Sequence, residues 1–304
     1  MPVVTSPVYR GRFAPSPSGA LHFGSLVAAV GSYLDARAAG GEWLLRIEDI
    51  DAPRSLPGAA DAIVRTLAGF GFVWDGEVLV QSRRVDRYHA ALVALQLDGD
   101  VYPCACSRSE IADSSVAQSV DGGRVYPGTC RSGLAAGRAA RAWRMRVPAQ
   151  EVGFTDRVQG AYAQQLERDV GDFVLLRADG QFAYQLAVVV DDADQGVTAV
   201  VRGADLLAST PRQIWLQQRL GVPTPTYAHL PVATDVHGQK LSKQSLARPV
   251  DCAGGAAVLA EVMAFLGQPV PAALHGAPLS EFWAWAVAHW SMARVPAQQT
   301  RVAE

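Results

Sequence analysis

The chain has almost no lysine. Of its 27 basic residues, 25 are arginines and two are lysines, Lys240 and Lys243. Both follow one glycine, in Gly238-Gln239-Lys240-Leu241-Ser242-Lys243. Lysine differs from arginine in carrying a compact, mobile point charge with three donors, suited to following a phosphate whose geometry changes during a reaction. Two readings stand at this point: a phosphate-binding pair, or two neighbouring surface lysines.

Other scarcities narrow the class. Charged residues make up 18% of the chain and hydrophobic ones 49%, the balance of a globular protein and not of a disordered one. Four cysteines in 304 residues do not make a disulfide scaffold. The longest apolar runs, such as 186–190, are far shorter than the roughly 20 residues that span a bilayer. Residues 1–9 lack the basic segment and apolar run of a signal peptide. The expectation is a cytoplasmic protein without a membrane partner, of about two domains by its length. A net charge of −2 means that any nucleic-acid contact must use a local arginine patch. No internal repeat is evident.

The first hundred residues read as a β-loop-α-β unit. A short strand over 8–13 runs into Ala14-Pro15-Ser16-Pro17-Ser18-Gly19, where two prolines and a glycine end regular structure. A helix over 25–39 follows, with Leu26, Val27, Val30 and Leu34 on one stripe and Gly40-Gly41 as its stop. The next strand is 42–47. The loop therefore ends at a helix N-terminus, where unpaired N–H groups and the positive dipole end attract anions. Gly24 permits close backbone approach, and His22 could donate to a phosphate oxygen; an ordinary strand-to-helix turn is the alternative. The spacing is neither that of the dinucleotide fingerprint nor that of the Walker A loop. Arg46-Ile47-Glu48-Asp49-Ile50-Asp51 closes the second strand, where ligands of open α/β sheets bind. Glu48 could accept from a substrate ammonium, or belong to a solvated acidic loop.

Helices are expected over 57–70 and 85–97. Beyond them the texture changes. Cys104-Ala105-Cys106 and Cys130 fall within 27 positions, with Tyr126 close by and no histidine between them. Three thiolates with a fourth ligand from Tyr126, an acid or water could hold a structural Zn²⁺; buried free thiols are the alternative. Short alternating segments follow at 143–146, 154–158 and 173–177, then an Asp179-Gly180 hairpin turn into 182–184. A buried strand over 197–201 leads to Arg202-Gly203, a second candidate anion site. Ser209-Thr210-Pro211 starts a helix reaching about 220. The apolar segment 280–290 reads as a docking helix. Cys252 has no assigned role.

These residues, taken together, carry a family pattern. Arg12-Phe13-Ala14-Pro15-Ser16-Pro17-Ser18-Gly19-Ala20-Leu21-His22-Phe23-Gly24-Ser25 resembles the first signature of class I glutamyl-tRNA synthetases. Lys240-Leu241-Ser242-Lys243-Gln244 resembles their second, the KMSKS-type loop. Arg46-Ile47-Glu48-Asp49, Tyr184 and Val200-Val201-Arg202-Gly203 fall between them in the expected order. Each motif is weak alone; five in order over residues 8–250 are specific. Within the group the chain is similar to the glutamyl-Q tRNA(Asp) synthetases, paralogues reduced to the catalytic body. The 61 residues after Lys243 are too few for a catalytic extension plus an anticodon-binding domain. The first signature ends in Gly24-Ser25, and the cysteines with Tyr126 match the group's Cys-x-Cys…Tyr-x₃-Cys zinc site.

The resemblance implies an α/β fold with a Rossmann-like, doubly wound parallel sheet, an inserted zinc-containing, acceptor-type subdomain and a short helical C-terminal tail. Its parts would be 1–100 and 181–250 for the two catalytic halves, 101–180 for the insert and 251–304 for the tail. It implies tRNA-independent activation of L-glutamate by ATP with Mg²⁺, then transfer to the queuosine of tRNA(Asp), by a monomer. His22, Gly24, Lys240 and Lys243 would be catalytic. ATP would meet His22, Gly24, Ser25 and Lys243. Glutamate would meet Arg12, Phe13, Ala14, Pro15, Ser16, Glu48, Tyr184 and Arg202. One structural zinc would sit on Cys104, Cys106, Tyr126 and Cys130. Three positions depart from the wider family: Ser25 replaces a second histidine, Gln244 a serine, and Val188 an asparagine four residues after the tyrosine. The last removes a polar group near the substrate and implies weaker or altered glutamate binding. A truncated conventional glutamyl-tRNA synthetase and a non-catalytic, zinc-containing RNA-binding module are the alternatives.

Overall fold

Residues 8–115, 117–120, 122–241 and 249–303 are described by a computed structural model. The segment around Gly11 forms β1 (Arg10–Phe13), which pairs in parallel with β2 (Glu42–Ile47), Arg12 level with Leu44. The crossover is α1 (Phe23–Ala38). Gly41 returns the chain to β2, and a Cβ there would lie 2.3 Å from the Tyr9 carbonyl oxygen, so only glycine fits. After α2 (Ala59–Gly69), β3 (Leu79–Val80) pairs in parallel with the end of β2. The helix α3 (Val85–Leu97) then leads out of this half.

An antiparallel insert follows. β4 (Val101–Cys104), β5 (Ala142–Met145) and β8 (Val174–Leu176) form one sheet. α4 (Arg108–Ser114) starts on a capping box between Ser107 and Glu110. β6 (Glu151–Asp156) and β7 (Gly160–Gln165) form a hairpin that leads into the single turn α5 (Leu166–Asp169). The Asp179-Gly180 turn is present, but the strand expected after it shrinks to one bridge between Leu176 and Phe182. Tyr184, expected in that strand, opens a helix instead, α6 (Tyr184–Asp194), whose apolar run is buried against the insert.

The chain then returns to parallel structure. β9 (Ala199–Gly203), α7 (Thr210–Leu220) and β10 (Thr226–Leu230) repeat the strand-helix-strand pattern. β9 lies beside β1, tied by Thr198 N–H donating to the Arg10 carbonyl at 2.9 Å. The spatial order β3-β2-β1-β9-β10 reverses direction at β1/β9, the switch point at which α/β sheets bind ligands. β11 (Val232–Thr234) follows at once. The tail supplies α8 (Gly255–Phe265), α9 (Leu279–His289) and a strand that periodicity did not announce, β12 (Thr300–Val302), parallel to β11.

α1 is buried almost all round, because the sheet covers one side and α8 with α9 the other. The expected docking helix is α9. Its Trp283 rests edge-on against Tyr33 at 4.9 Å between centroids and donates to the Phe70 carbonyl at 2.8 Å. No helix among the described residues is long and apolar enough to cross a membrane.

One carboxylate clasps three parts of the chain. Asp35 of α1 is 5% exposed and accepts from Tyr9 Oη, from both Arg157 Nη groups at 2.6 and 2.9 Å, and from Trp290 Nε1 at 3.3 Å. Arg157 sits at the tip of the β6–β7 hairpin, so insert, α1 and tail meet on one side chain. Removing one partner of a buried ion pair strands the other. Asp35→Ala is expected to lower unfolding free energy by about 3 kcal/mol, read from urea denaturation; Arg157→Ala, at a half-exposed side chain, costs less.

Candidate active site

The carboxyl ends of β1 and β9 open into a cleft with two adjoining lobes. One, of about 470 Å³, is lined by Pro15, His22, Gly24, Ser25, Lys240 and Leu241, among others. The second, of about 520 Å³, is lined by Arg12, Ala14, Glu48, Tyr184, Arg202 and Leu206, among others. Phe13, Ser16, Gly203, Asp205 and Lys240 border both.

The first lobe is built on the N-terminus of α1. The helix begins two residues earlier than its apolar stripe suggests, so His22 becomes its N-cap. Its Nδ1 accepts from Ser25 N–H at 3.3 Å, and its Nε2 stands 3.0 Å from Ser25 Oγ. A ring accepting at Nδ1 carries its proton on Nε2, so the Ser25 hydroxyl oxygen receives that proton's hydrogen bond. A Cβ on Gly24 would lie 3.4 Å from the Leu241 carbonyl oxygen, which places the lysine loop against the helix terminus. That loop leaves β11 through a turn in which Asp235 Oδ1 accepts from His237 N–H and Gln239 N–H, and Gly238 takes φ +76°. Lys240 returns opposite Thr234, its Nζ 2.6 Å from Asp205 Oδ2. Lys243 and Gln244 lie outside the described residues.

The second lobe is organised by buried charge. Asp192 of α6 receives Arg12 Nε at 3.1 Å and Arg46 Nη1 at 2.8 Å. Arg46 also contacts Glu48 Oε1 at 3.1 Å. Burial alone would raise the Asp192 carboxyl, but the guanidinium groups of Arg12 and Arg46 together outweigh it and hold the group below its usual range. Burial raises Glu48 above the usual carboxylate range, and Arg46 and Arg12 offset this only in part. Both Arg46 contacts fall on Oε1, leaving Oε2 without a hydrogen-bond partner among the described residues.

Arg202 differs from its two neighbours. Its Nε donates to His229 Nε2 at 3.0 Å and its Nη2 to Thr210 Oγ1 at 2.8 Å. Its Nη1 is buried with no hydrogen-bond partner among the described residues. His229 in turn presents Nδ1 to Asp156 Oδ2 at 2.6 Å.

The cysteine cluster forms its own small core with Tyr102 and Tyr126. The Sγ atoms of Cys104, Cys106 and Cys130 lie within 4.8 Å of one another. Tyr126 Oη stands 3.4 Å from Cys104 Sγ and 3.6 Å from Cys106 Sγ, and Cys106 and Cys130 Sγ are 3.6 Å apart. Four ligands at the corners of a tetrahedron around zinc, with Zn–S of about 2.3 Å, are spaced by roughly 3.8 Å. The donor set and its spacing thus fit zinc. Arg144 stacks its guanidinium 3.8 Å from the Tyr126 ring centroid, a cation–π contact that fixes the ring.

The structure gathers the expected residues with few exceptions. His22, Gly24 and Ser25 meet in the first lobe, and Arg12, Phe13, Ala14, Ser16, Glu48, Tyr184 and Arg202 in the second. Pro15 lines the first lobe, not the second. Val188 is 1% exposed and packs in the core shared by α6 and the insert, rather than among the residues lining either lobe. Sequence reasoning missed Asp205, Asp192 and the Asp156–His229 pair. The only local signals for them were Asp205 shortly after Arg202-Gly203 and His229 just ahead of β11.

A parallel sheet whose switch point carries a helix N-terminus and a lysine loop is the catalytic body of a class I synthetase. The family model for the catalytic domain of class I tRNA synthetases (E and Q) matches residues 9–254. The glutamyl-Q tRNA(Asp) synthetase of Dechloromonas aromatica (strain RCB) is 64% identical over 290 residues, 95% of this chain and 96% of that one. The protein of the same name from Aromatoleum aromaticum is 60% identical, over 96% of this chain and 92% of that one. Among solved structures, a glutamate tRNA ligase from Elizabethkingia meningosepticum in complex with its amino acid superposes with a TM-score of 0.78 at 25% identity. That match covers 97% of this chain and 67% of the ligase. The chain belongs to the class I glutamyl and glutaminyl tRNA synthetase family and, within it, to the group of the glutamyl-Q tRNA(Asp) synthetases.

Burial also sets an acid response. The loss of hydration pushes His229 down to about 4, despite the Asp156 hydrogen bond that favours its charged form. Unfolded, the ring titrates near 6.5. The unfolded chain therefore binds the extra proton first, and this contribution to stability is present above about pH 6.5 and lost as pH falls toward about 4. Asp156, held below its usual range, acts in the same direction at lower pH. Urea unfolding of His229→Gln is expected to show a flatter dependence across that window than the parent protein.

Proposed function

We propose that the chain activates L-glutamate with ATP and transfers the glutamyl group to the queuosine of tRNA(Asp). The observation that carries the activation step is the two-lobed cleft: an anion-binding helix terminus facing a lysine loop on one side, and a charge-lined lobe on the other. The acceptor rests on the relatives' names.

In this reading ATP enters as its Mg²⁺ complex. Its phosphates lie over the N-terminus of α1, between His22 and Gly24 on one side and the lysine loop on the other. The glutamate ammonium pairs with Glu48, whose Oε2 is available, and Tyr184 closes the lobe beside it. The side-chain carboxylate meets Arg202 Nη1. A substrate carboxylate oxygen attacks the α-phosphorus, and pyrophosphate leaves toward the lysines. Position and electrostatics suffice, so no protein nucleophile is needed. Glutamine in the same place would leave the Arg202 charge unpaired, a strong penalty in a dry site. Zinc on Cys104, Cys106, Tyr126 and Cys130 would pin the turn after β4 to the loop around Tyr126, a structural role.

Two outcomes test this. Glutamate-dependent ATP–pyrophosphate exchange is expected without tRNA, and Lys243→Ala is expected to lose it at an unchanged melting temperature, while Lys240→Ala loses less. Labelled glutamate offered with ATP and total tRNA should mark RNA only when queuosine is present; label on queuosine-free tRNA points to conventional charging. For the metal, mass spectrometry under native conditions should give one zinc per chain, and Cys106→Ser should lose it with a lower melting temperature.

A further inference from the structure

Arg12, Arg54 and Arg202 line the second lobe and Arg46 lies fully buried beside Glu48, and these arginines differ in what faces them. Arg12 and Arg46 share Asp192, and Arg46 also has Glu48. Their charge is compensated by carboxylates within hydrogen-bonding distance. Arg202 has no carboxylate partner among the described residues; an imidazole and a hydroxyl hold it instead. We propose that Asp156 and His229 are positioning residues that fix Arg202 through neutral acceptors, so that its guanidinium keeps its charge for a substrate carboxylate. The proposal rests on the glutamate reading and adds to it residues that touch no substrate.

The geometry makes the arrangement one-directional. Asp156 Oδ1 accepts three backbone N–H groups, from Val158 and Gln159 at 2.9 Å each and from His229 at 3.0 Å. That leaves Oδ2 for His229 Nδ1, which must carry the ring's proton to donate to it. His229 Nε2 is then a lone pair, the acceptor that Arg202 Nε requires. His229 is fully buried and Asp156 nearly so, Phe154 and Tyr227 flank the ring, and a flipped ring would lose both its Asp156 and its Arg202 hydrogen bond. A carboxylate placed directly on Arg202 would position it equally well but would neutralise it. Asp156 instead acts one ring further away, and the β6–β7 hairpin that carries it is anchored next door by Arg157 on Asp35. The insert thereby reaches the pocket without lining it.

The test uses the full chain and follows KM for glutamate and for ATP separately in pyrophosphate exchange. In Asp156→Asn, Oδ1 keeps its three N–H groups and the amide NH₂ faces Nδ1, which inverts the tautomer and turns Nε2–H against Arg202. Asp156→Asn and His229→Phe are expected to raise KM for glutamate at least ~10-fold and to narrow discrimination against glutamine, with KM for ATP moved less than about twofold. His229→Gln, which restores an acceptor near the Nε2 position, is expected to recover most of the loss; a defect that was only structural would not be recovered. Should the variants unfold, ¹⁵N resonances of the His229 ring in the unmodified protein decide: a proton on Nδ1 supports the proposal and one on Nε2 overturns it. Unchanged glutamate KM in both variants, with Arg202→Ala still defective, sinks the positioning role and leaves the glutamate reading standing. An unaltered Arg202→Ala removes both.

Discussion

Asp192 is the side chain on which the site's construction depends. It projects from α6 between Arg12 of β1 and Arg46 of β2, and so ties the returning half of the chain to the first. All three side chains are nearly dry. Ions taken out of water are costly unless they are paired with good geometry, and losing one member of such a network leaves the others stranded. The strands, the helix and the lobe between them are therefore fixed together. The network also decides how charge is spread in the lobe. Two arginines are spent on internal pairing, Glu48 is left half engaged, and Arg202 stands apart on neutral partners.

The same constraint explains why the two lobes share a wall. The strand order reverses between β1 and β9, and the polypeptide leaves the sheet there in opposite directions, toward Pro15 and toward Asp205. Whatever occupies one lobe must touch Phe13, Ser16 and Gly203, which border the other as well. For a reaction that joins a carboxylate to a phosphate, a shared wall is the requirement: the reacting atoms have to meet at a boundary between two binding sites. Lys240 stands on that boundary, held by Asp205. In the proposed reading it is a point charge located where phosphate and amino acid adjoin.

Much of this was legible in residue order. Strand β2 and helix α3 have the bounds that their patterns predict, and those residues quoted for glutamate and ATP that lie among the described ones come together around one cleft. Local rules reach these because strand periodicity, prolines and helix-terminal glycines act over a few residues. What stayed hidden acts over long separations. Asp156 and His229 are 73 residues apart and Arg12 and Asp192 are 180 apart. A buried Asp at a strand end has no local signature that distinguishes it from a solvated one. The strand β12 was invisible for a related reason: Thr300–Val302 is a short, half-exposed segment made a strand by the edge that β11 offers. Tyr184 shows the opposite error, a β-favouring residue taken into a helix because Ala183 N–H is already satisfied by the Leu175 carbonyl and the chain can turn there.

The insert is usually easiest to regard as an attachment to the catalytic sheet, held by its own cysteine core. Its hydrogen bonds argue otherwise. The hairpin tip at Asp156-Arg157-Val158 makes two connections in adjacent residues, a part-buried one to Asp35 of α1 and a buried one to His229 beside Arg202. Arg157 N–H also donates to the Tyr227 carbonyl at 2.9 Å, which fixes the hairpin to β10 itself. A segment so bound cannot shift without moving the guanidinium that the proposed substrate requires. The cysteine cluster stands in the same insert, at the end of β4. The cysteine cluster and the residues that hold Arg202 thus belong to one folded unit. On the proposed reading, the insert would contribute to the chemistry by holding the pocket's uncompensated charge in place.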